Sequence, residues 1–185
     1  KTNPYLERGL MTGITRVGKE SIFSDLNNLQ VVTITSDTYQ TSFGFTEEEV
    51  LKALDEFGMQ YQKQGVKRWY DGFRFGNIDN MYNPWSITKF LKEGEFRPYW
   101  ANTSSNSLAG KLIRKGSKEI KIAMEHMLQG GSFCTYVDEE IVFNQLDHSE
   151  NAVWSLLLAS GYLKVTDRVP RKNGKQYYCL ALTNF

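Results

Sequence analysis

The stretch TGITRVGKES near the N-terminus carries residues that could bind a phosphate group. Gly13, Gly18 and Lys19 reproduce the frame Gly-x-x-x-x-Gly-Lys-Ser/Thr, in which backbone N–H groups and the lysine bind phosphates and the hydroxyl holds Mg²⁺. Glu20 stands where the hydroxyl is required, and Ser21 follows one position too late. A carboxylate ~4 Å from a phosphate charge costs roughly 4 kcal/mol at an effective dielectric constant of ~20. The residues therefore predict a strand end and a turn into a helix, rather than a working phosphate loop.

Other residues with chemical potential form no recognisable catalytic or metal site. Glu119 and Lys121 match the acidic-x-Lys half of a metal-dependent nuclease site, but their lysine-rich helical pattern predicts a solvated helix face. His126 and His148 are the only histidines, and neither belongs to a His-x-x-x-His or cysteine cluster, so no zinc site is predicted. There is also no Gly-x-Ser-x-Gly elbow. We therefore predict no metal ligand and no catalytic residue in this chain.

Two groups of basic residues could contact an anionic partner. The first lies on adjacent predicted helices and comprises Lys111, Arg114, Lys115, Lys118 and Lys121. The second surrounds the last predicted hairpin and comprises Arg168, Arg171, Lys172 and Lys175. These four hairpin residues are candidate nucleic-acid contacts, because a hairpin tip with four cations could touch phosphates. The alternative, which the sequence favours, is an ordinary hairpin that its charge protects from aggregation.

Composition indicates a folded protein with almost no net charge. The 185 residues suit one domain or two small ones, with 41% hydrophobic and 23% charged residues. The formal net charge of +1 gives no general attraction to nucleic acid or to an anionic membrane. No apolar run approaches the ~18–20 residues of a membrane span, and no signal peptide is recognisable. Cys134 and Cys179 lack C-x-x-C spacing, so we expect buried free thiols in a reducing cytoplasm.

The N-terminal third must position the stretch that resembles a phosphate loop. The spacing of its apolar residues predicts two helices with a strand between them. Residues 19–29 have the apolar spacing of an amphipathic helix, and the β-branched residues of 29–36 predict a short strand. Thr46 and Glu49 form a capping box at the start of the second helix. Its predicted apolar face comprises Val50, Leu51, Leu54 and Phe57.

A hairpin and a further helix are predicted in the middle of the chain. Asp71 and Gly72 stand between alternating aromatic residues, which predicts the turn of a tight β-hairpin because both residues tolerate positive φ. The aromatic stretch WYDGFRF could stack on bases, although packing in the core and hairpin is the favoured interpretation. Asn83 and Pro84 have the positions of an N-cap and a first helical residue, and predict a helix that reaches Gly94.

The last third is predicted to contain three helices and three strands. Helical patterns cover about 106–115 and 118–129, and the second ends at two glycines. Residues 133–137 predict a strand, 150–163 an apolar helix, and the segment after it two strands joined by a loop with Asn173 and Gly174. The whole pattern predicts an α+β fold, mainly helical with short strands and β-hairpins, and with a C-terminal winged-helix-like module.

Six segments together resemble the AAA-ATPase-like family of bacterial proteins. In chain order they are MTGITRVGKESIFSDLNNL, FGFTEEEV, WYDGFRFG, MYNPWSITKFL, YWANTSSNSL and LLLASGYL. Members of this family typically carry a phosphate loop near the N-terminus and often a PD-(D/E)XK-type nuclease-like domain after the ATPase-like region. The resemblance covers nearly the whole chain. It implies that the chain is a part of such a protein, downstream of the phosphate loop.

The resemblance also implies an organisation in three parts. Residues 1–44 would be the end of the ATPase core, 45–105 a helical lid with the Asp-Gly hairpin, and 106–185 a helical, winged-helix-like module. The segment MTGITRV would be a core strand whose end faces the nucleotide. Thr12 is then a candidate sensor hydroxyl, and Arg16 is a candidate cation near the phosphates.

The function implied by the resemblance belongs to the intact parent protein. ATP and Mg²⁺ would bind there, whereas this chain alone would bind no cofactor and catalyse nothing. Its partners would be the upstream phosphate-loop region and the downstream nuclease-like domain of the same parent, with no membrane involved. Two alternatives remain open: a non-enzymatic, nucleic-acid-binding winged-helix-like module, and a protein-interaction domain whose aromatic residues pack on other parts of the parent.

Overall fold

Six α-helices and five strands form the regular structure of the residues that the computed structural model describes, which are 5, 7–13, 30–100, 107–139, 150–172 and 175–184. The helices are α1 (Glu47–Glu56), α2 (Lys63–Tyr70), α3 (Pro84–Glu93), α4 (Ser107–Lys115), α5 (Lys118–Leu128) and α6 (Glu150–Ala159). The strands are β1 (Asp71–Phe75), β2 (Ile78–Tyr82), β3 (Phe133–Tyr136), β4 (Leu163–Lys172) and β5 (Lys175–Leu182). A 3₁₀ turn covers Gln60–Gln62. The fold is therefore α+β, mainly helical with short strands and hairpins, as the sequence predicts.

Helix α1 begins at the predicted capping box. The Thr46 hydroxyl accepts a hydrogen bond from the Glu49 N–H at 3.3 Å, and the Glu49 carboxylate accepts one from the Thr46 N–H at 2.8 Å. Val50 and Leu54 are buried as predicted. Phe57, however, is 60% exposed, because the helix ends at Glu56 and the chain turns away before this side chain can join the apolar face.

Helix α3 also has the predicted boundaries. The Asn83 side chain accepts a hydrogen bond from the Ser86 N–H at 3.2 Å, Pro84 occupies the first helical position, and the helix ends at Gly94 with φ +70°. Phe90 lies in the core, whereas Trp85 is exposed. Each helix start that carries a complete capping signal is thus correctly predicted.

The predicted hairpin exists, but its predicted turn is wrong. Asp71–Gly72 opens β1 directly after helix α2, and the chain reverses at Gly76–Asn77. Gly72 has φ +143°, and a Cβ atom there would lie 1.8 Å from the carbonyl oxygen of Thr183. Glycine is therefore required at position 72 because two distant backbone segments approach closely there, and not because the chain turns. Gly76, with φ +56°, provides the positive φ that the actual turn needs.

The strand predicted for residues 29–36 is also wrong, since none of residues 30–36 pairs in a ladder. The Thr33 N–H donates to Ser36 Oγ at 2.9 Å, and the Ser36 N–H donates to the Thr33 carbonyl oxygen at 3.1 Å. Such local side-chain bonds offer the backbone an alternative to a sheet. The helix predicted for 19–29 lies outside the described residues.

The C-terminal sheet has the antiparallel order β3-β5-β4, and the predicted elements around it are confirmed. Gly130 and Gly131 follow α5, Gly161 with φ +78° follows α6, and β4 and β5 are the last two strands. The loop residues 173–174 lie outside the described part of the chain.

The sheet and its helices enclose one of two hydrophobic cores. This C-terminal core is formed by α4, α5, α6 and the three strands. The other core joins α1, α2, α3 and β2 and comprises Val50, Leu54, Val66, Tyr70, Tyr82, Ile87 and Phe90. The domain boundaries 1–44, 45–105 and 106–185 stay a prediction.

The expectation of free thiols is wrong, because Cys134 and Cys179 form a disulfide. They occupy directly opposed positions on β3 and β5, although 45 residues separate them in sequence. Spacing along the chain could not reveal this proximity, which arises only when the two strands pair. The disulfide therefore gives no support to the predicted reducing compartment, which was inferred from free thiols.

All described helices, of which the longest has 11 residues, fall short of the length and apolarity that a bilayer crossing needs.

Candidate functional site

The predicted sensor residue Thr12 lies in an exposed segment without regular structure, residues 7–13. Its neighbours Leu10 and Met11 are 83% and 65% exposed. Arg16, the second sensor candidate, lies outside the described residues. The segment therefore presents two apolar side chains to solvent. It forms no binding site by itself.

The basic hairpin does not gather its four cations at one exposed tip. Arg168 donates from Nη2 to the carbonyl oxygen of Thr35 at 2.8 Å and lies 3.6 Å from the Asp37 carboxylate. The ammonium group of Lys175 lies 5.0 Å from the ring centroid of Tyr136, in a cation–π contact. Both candidate nucleic-acid contacts are thus used within the protein.

The other two hairpin candidates, Arg171 and Lys172, close strand β4, and their side chains lie outside the described part of the structure. The assignment of all four residues as nucleic-acid contacts stays a prediction.

A carboxylate network connects an early segment of the chain to the C-terminal sheet. We name this segment, residues 33–40, the connecting loop. Glu139 follows β3, and its Oε2 accepts hydrogen bonds from the hydroxyls of Thr33, at 2.6 Å, and Thr35. Its Oε1 accepts a hydrogen bond from the Tyr178 hydroxyl on β5. Three hydroxyl donors thus surround one carboxylate.

The network keeps its tyrosine protonated. The Tyr178 side chain is buried, and this burial, followed by its hydrogen bond to Glu139, raises the pKa of Tyr178 to about 12. At neutral pH the phenol is therefore a stable donor to the carboxylate. Because the carboxylate oxygens and the surrounding hydroxyls are already bonded to each other, the arrangement is suited to holding segments together rather than to transferring protons.

The connecting loop also binds the β1–β2 hairpin. The Gly76 N–H donates to the Ile34 carbonyl oxygen at 2.8 Å, and the Asn77 N–H donates to Gln40 Oε1 at 2.9 Å. Ile34 additionally packs against the C-terminal core. The loop therefore lies between the hairpin and the C-terminal sheet and contacts both. Sequence reasoning missed this role, since the alternation of Thr33 and Thr35 resembles one face of a strand.

A polar cleft of about 360 Å³ opens where the hairpin meets β4. Its lining residues are Asp71, Gly72, Phe73, Asp79, Asn80 and Lys164. Two irregularities of the β1–β2 ladder shape it, and Asn80 adopts a left-handed φ of +56°. Oδ1 of Asp71 is buried without a hydrogen-bond partner.

Charge in this cleft is balanced rather than strongly acidic. Burial raises the pKa of Asp71, and the ammonium groups of Lys67 and Lys164 act in the opposite direction. Asp79 lies 3.5 Å from Nε of Arg74. Within the described ranges, no group of three or more histidine, cysteine, aspartate or glutamate side chains could hold a metal ion.

The aromatic stretch around the hairpin mostly serves packing. Tyr70 and Phe73 are buried, and the Trp69 ring stacks on Phe96 at 5.8 Å between centroids. The favoured interpretation of this stretch, packing rather than a base-stacking surface, is confirmed for the two buried rings.

Comparison with known proteins identifies one relative of similar sequence and leaves the family undetermined. The chain is 22% identical over 183 residues to a protein of Azotobacter chroococcum mcd 1 described as "Uncharacterized protein in vnfD 5'region". The match covers 99% of this chain and 33% of that relative, so the chain spans about a third of the relative's length. No protein-family model matches the chain. No solved structure matches it. The AAA-ATPase-like resemblance therefore stays a prediction.

Proposed function

We propose that this chain is the lid and sensor region of a longer AAA-ATPase-like protein, in which ATP and Mg²⁺ bind to a region before residue 1. The observation that carries the proposal is the exposure of Leu10 and Met11 in the segment 7–13. Exposed apolar side chains that lie next to each other can mark a surface on which another element packs. In an ATPase core, the strands beside this segment would cover them.

The rest of the architecture supports the same proposal. The hairpin and helices α1 to α3 would form the lid, and the connecting loop would join the core to the C-terminal module. Strand β3 lies between α5 and α6, β4 and β5 follow α6, and the sheet order β3-β5-β4 is compatible with a winged-helix-like module. The relative, three times as long as the matched region, is compatible with further domains in a parent protein. These would be the upstream phosphate-loop region and the downstream nuclease-like domain.

Nucleotide titration of two proteins tests the proposal. We expect Mg²⁺-ATP to bind a chain extended upstream through the phosphate loop, and not the chain of 185 residues. In the extended protein, Thr12→Ala and Arg16→Ala should weaken ATP binding or slow hydrolysis. Thr41→Ala and Arg8→Ala are matched controls at exposed positions and should change neither. Equal, tight ATP binding by both proteins would overturn the proposal.

The same exposed segment favours a second candidate function, a non-enzymatic protein-interaction domain. In that case residues 7–13 would pack on another part of the parent that binds no nucleotide. Both candidates predict that the protein extended upstream covers Leu10 and Met11 from solvent. They differ in nucleotide binding: the extended protein would bind Mg²⁺-ATP if it is an ATPase, and would not bind it if it is an interaction domain. Protection of this segment from hydrogen exchange, without nucleotide binding, would select the second candidate.

Nucleic-acid binding through the last hairpin has less support. Helix α6 stands where a winged-helix protein presents its recognition helix, yet seven consecutive residues of α6, from Ala152 to Leu158, are buried. The helix also contains no lysine or arginine. Arg168 contacts Thr35 and Asp37, and Lys175 contacts the Tyr136 ring, so two of the four hairpin candidates are engaged in contacts within the chain.

A further inference from the structure

Positive charge is concentrated in one short stretch of this nearly neutral chain. Residues 111–121 contain five lysines and arginines and one acidic residue, a net charge of +4. The remaining residues contain seventeen basic and twenty acidic side chains, a net charge of −3. The total of +1 hides this asymmetry. The electrostatic attraction of this stretch to an anionic partner therefore differs from what the net charge of the whole chain suggests.

The five cations form a surface that we name the α4–α5 basic surface. Its members are Lys111, Arg114, Lys115, Lys118 and Lys121, and all five are exposed. Within the described part of the chain, none of them forms an ion pair, unlike Lys63, which bonds to Asp55 at 2.6 Å. The one acidic neighbour, Glu119, bonds to its own backbone N–H and to Ser117, which lowers the pKa of Glu119.

Helix geometry fixes the surface on a rigid support. Lys111, Arg114 and Lys115 stand at i, i+3 and i+4 on α4 and therefore share one face. A connection of only two residues leads to α5, whose first turn carries Lys118 and Lys121. The opposite sides of both helices are anchored in the C-terminal core by Leu112, Ile120, Ala123 and Met127.

We propose that the α4–α5 basic surface binds the phosphate backbone of a nucleic-acid duplex. A duplex presents phosphates at regular, closely spaced positions, and it suits exposed cations that no acidic side chain neutralises. The surface lacks the design of a membrane-binding helix, which inserts an apolar face while its cations stay at the headgroups. Here the apolar faces of α4 and α5 are already buried in protein. The proposal does not depend on nucleotide binding by the parent.

The salt dependence of binding measures how many of these cations contact phosphates. Each phosphate contact contributes about −0.9 to the slope of log K against log salt concentration, so five contacts would give a slope of about −4.5. We expect micromolar, sequence-independent binding of a labelled DNA duplex of about 20 base pairs at about 50 mM salt. Fluorescence anisotropy of the duplex gives both quantities.

A triple variant tests the location of the surface. Lys111→Gln, Arg114→Gln and Lys115→Gln together should reduce the affinity at least about tenfold and make the slope shallower by about 2.7. The matched control removes the same charge from the hairpin by Arg171→Gln, Lys172→Gln and Lys175→Gln, and should change the affinity less than about twofold. Lys111→Arg with Lys115→Arg keeps the charge and should keep the affinity.

The outcomes separate the possible partners. An equal or larger loss in the hairpin variant would overturn the proposal in favour of the hairpin. Absence of duplex binding by the unaltered chain would also overturn it, as would binding to vesicles of anionic phospholipid without binding to the duplex. Glutamine is a good helix former, so the triple variant should keep the helical circular dichroism and the thermal midpoint of the unaltered chain.

Discussion

The Thr33 hydroxyl donates a hydrogen bond of 2.6 Å to Oε2 of Glu139, across 106 residues of sequence. The contact joins the connecting loop to the end of β3, and Arg168 strengthens the same junction through the Thr35 carbonyl oxygen. Because the loop also bonds to Gly76 in the hairpin, one short segment ties both parts of the described structure together.

Replacement of the network carboxylate should destabilise the protein. Glu139→Gln replaces one acceptor oxygen with an amide group, so that the hydroxyls of Thr33, Thr35 and Tyr178 lose charged acceptors. We expect a loss of about 1–3 kcal/mol in the free energy of unfolding, measured by urea denaturation. Glu125→Gln, at an exposed position of α5, removes the same charge and should cost less than about 0.5 kcal/mol. Equal stability of the two variants would contradict a structural role for the network.

Tyr178 should make the stability of the protein fall at alkaline pH. Its pKa is about 12 in the folded protein and 10.0 without these contacts. Between these values the unfolded chain releases the phenolic proton while the folded protein keeps it, so rising pH favours unfolding. The contribution of Tyr178 is fully present below about pH 10 and is lost as the pH rises through about 12, by on the order of 2 kcal/mol.

The free energy of unfolding is measured for the unaltered chain and for Tyr178→Phe between pH 9 and 12, in steps of about one pH unit. Other tyrosines titrate in both proteins, so the difference between the two curves isolates Tyr178. Tyr61→Phe, at an exposed position, should follow the unaltered chain. A Tyr178→Phe curve with the same slope as the unaltered chain would rule out the shifted phenol.

Elements marked by local signals could be predicted from the sequence. Thr46 with Glu49, and Asn83 with Pro84, satisfy the first N–H groups of a helix with residues only a few positions away. The bond partners are inside the segment that the sequence displays, so these helix starts follow from sequence alone. The same applies to Gly94, where a positive φ ends α3 and the Gly94 N–H donates to the Phe90 carbonyl oxygen, four residues away.

Features decided by distant partners could not be predicted. The strand-like pattern around Thr33 gives way to a turned loop, because Glu139 provides an acceptor that no local pattern reveals. Gly72 was assigned to a turn, whereas its lack of a side chain serves the approach of Thr183. In each case the residue type was informative, but the contact that explains it lies more than a hundred residues away.

Gly72 should be intolerant of any side chain. In Gly72→Ala the new Cβ would meet the carbonyl oxygen of Thr183 at 1.8 Å, and the backbone would also have to keep φ +143°. We expect a loss of at least about 3 kcal/mol in unfolding free energy, from the clash and the backbone strain together. Gly58→Ala is a matched control, because it has φ +68° but nothing within 4 Å of the new Cβ.

The control shows what a side chain costs at a positive φ where no atom clashes with it. Gly58→Ala should cost only about 1 kcal/mol, the ordinary penalty for a positive φ outside glycine. Thermal unfolding followed by circular dichroism compares the two variants under one condition. If Gly72→Ala lost no more stability than Gly58→Ala, the close approach of β1 to Thr183 would be wrong.

Reduction of the disulfide should destabilise the C-terminal sheet. Cys134 and Cys179 join β3 to β5 across 45 residues, and closing a loop of this length removes conformational entropy from the unfolded chain worth about 4 kcal/mol. Unfolding by urea with and without a dithiol reductant should show this difference. The double variant Cys134→Ser with Cys179→Ser should match the reduced protein and should not respond to the reductant. Two titratable thiols in the unreduced, denatured chain would show that the bond is absent, and the stability difference should then vanish as well.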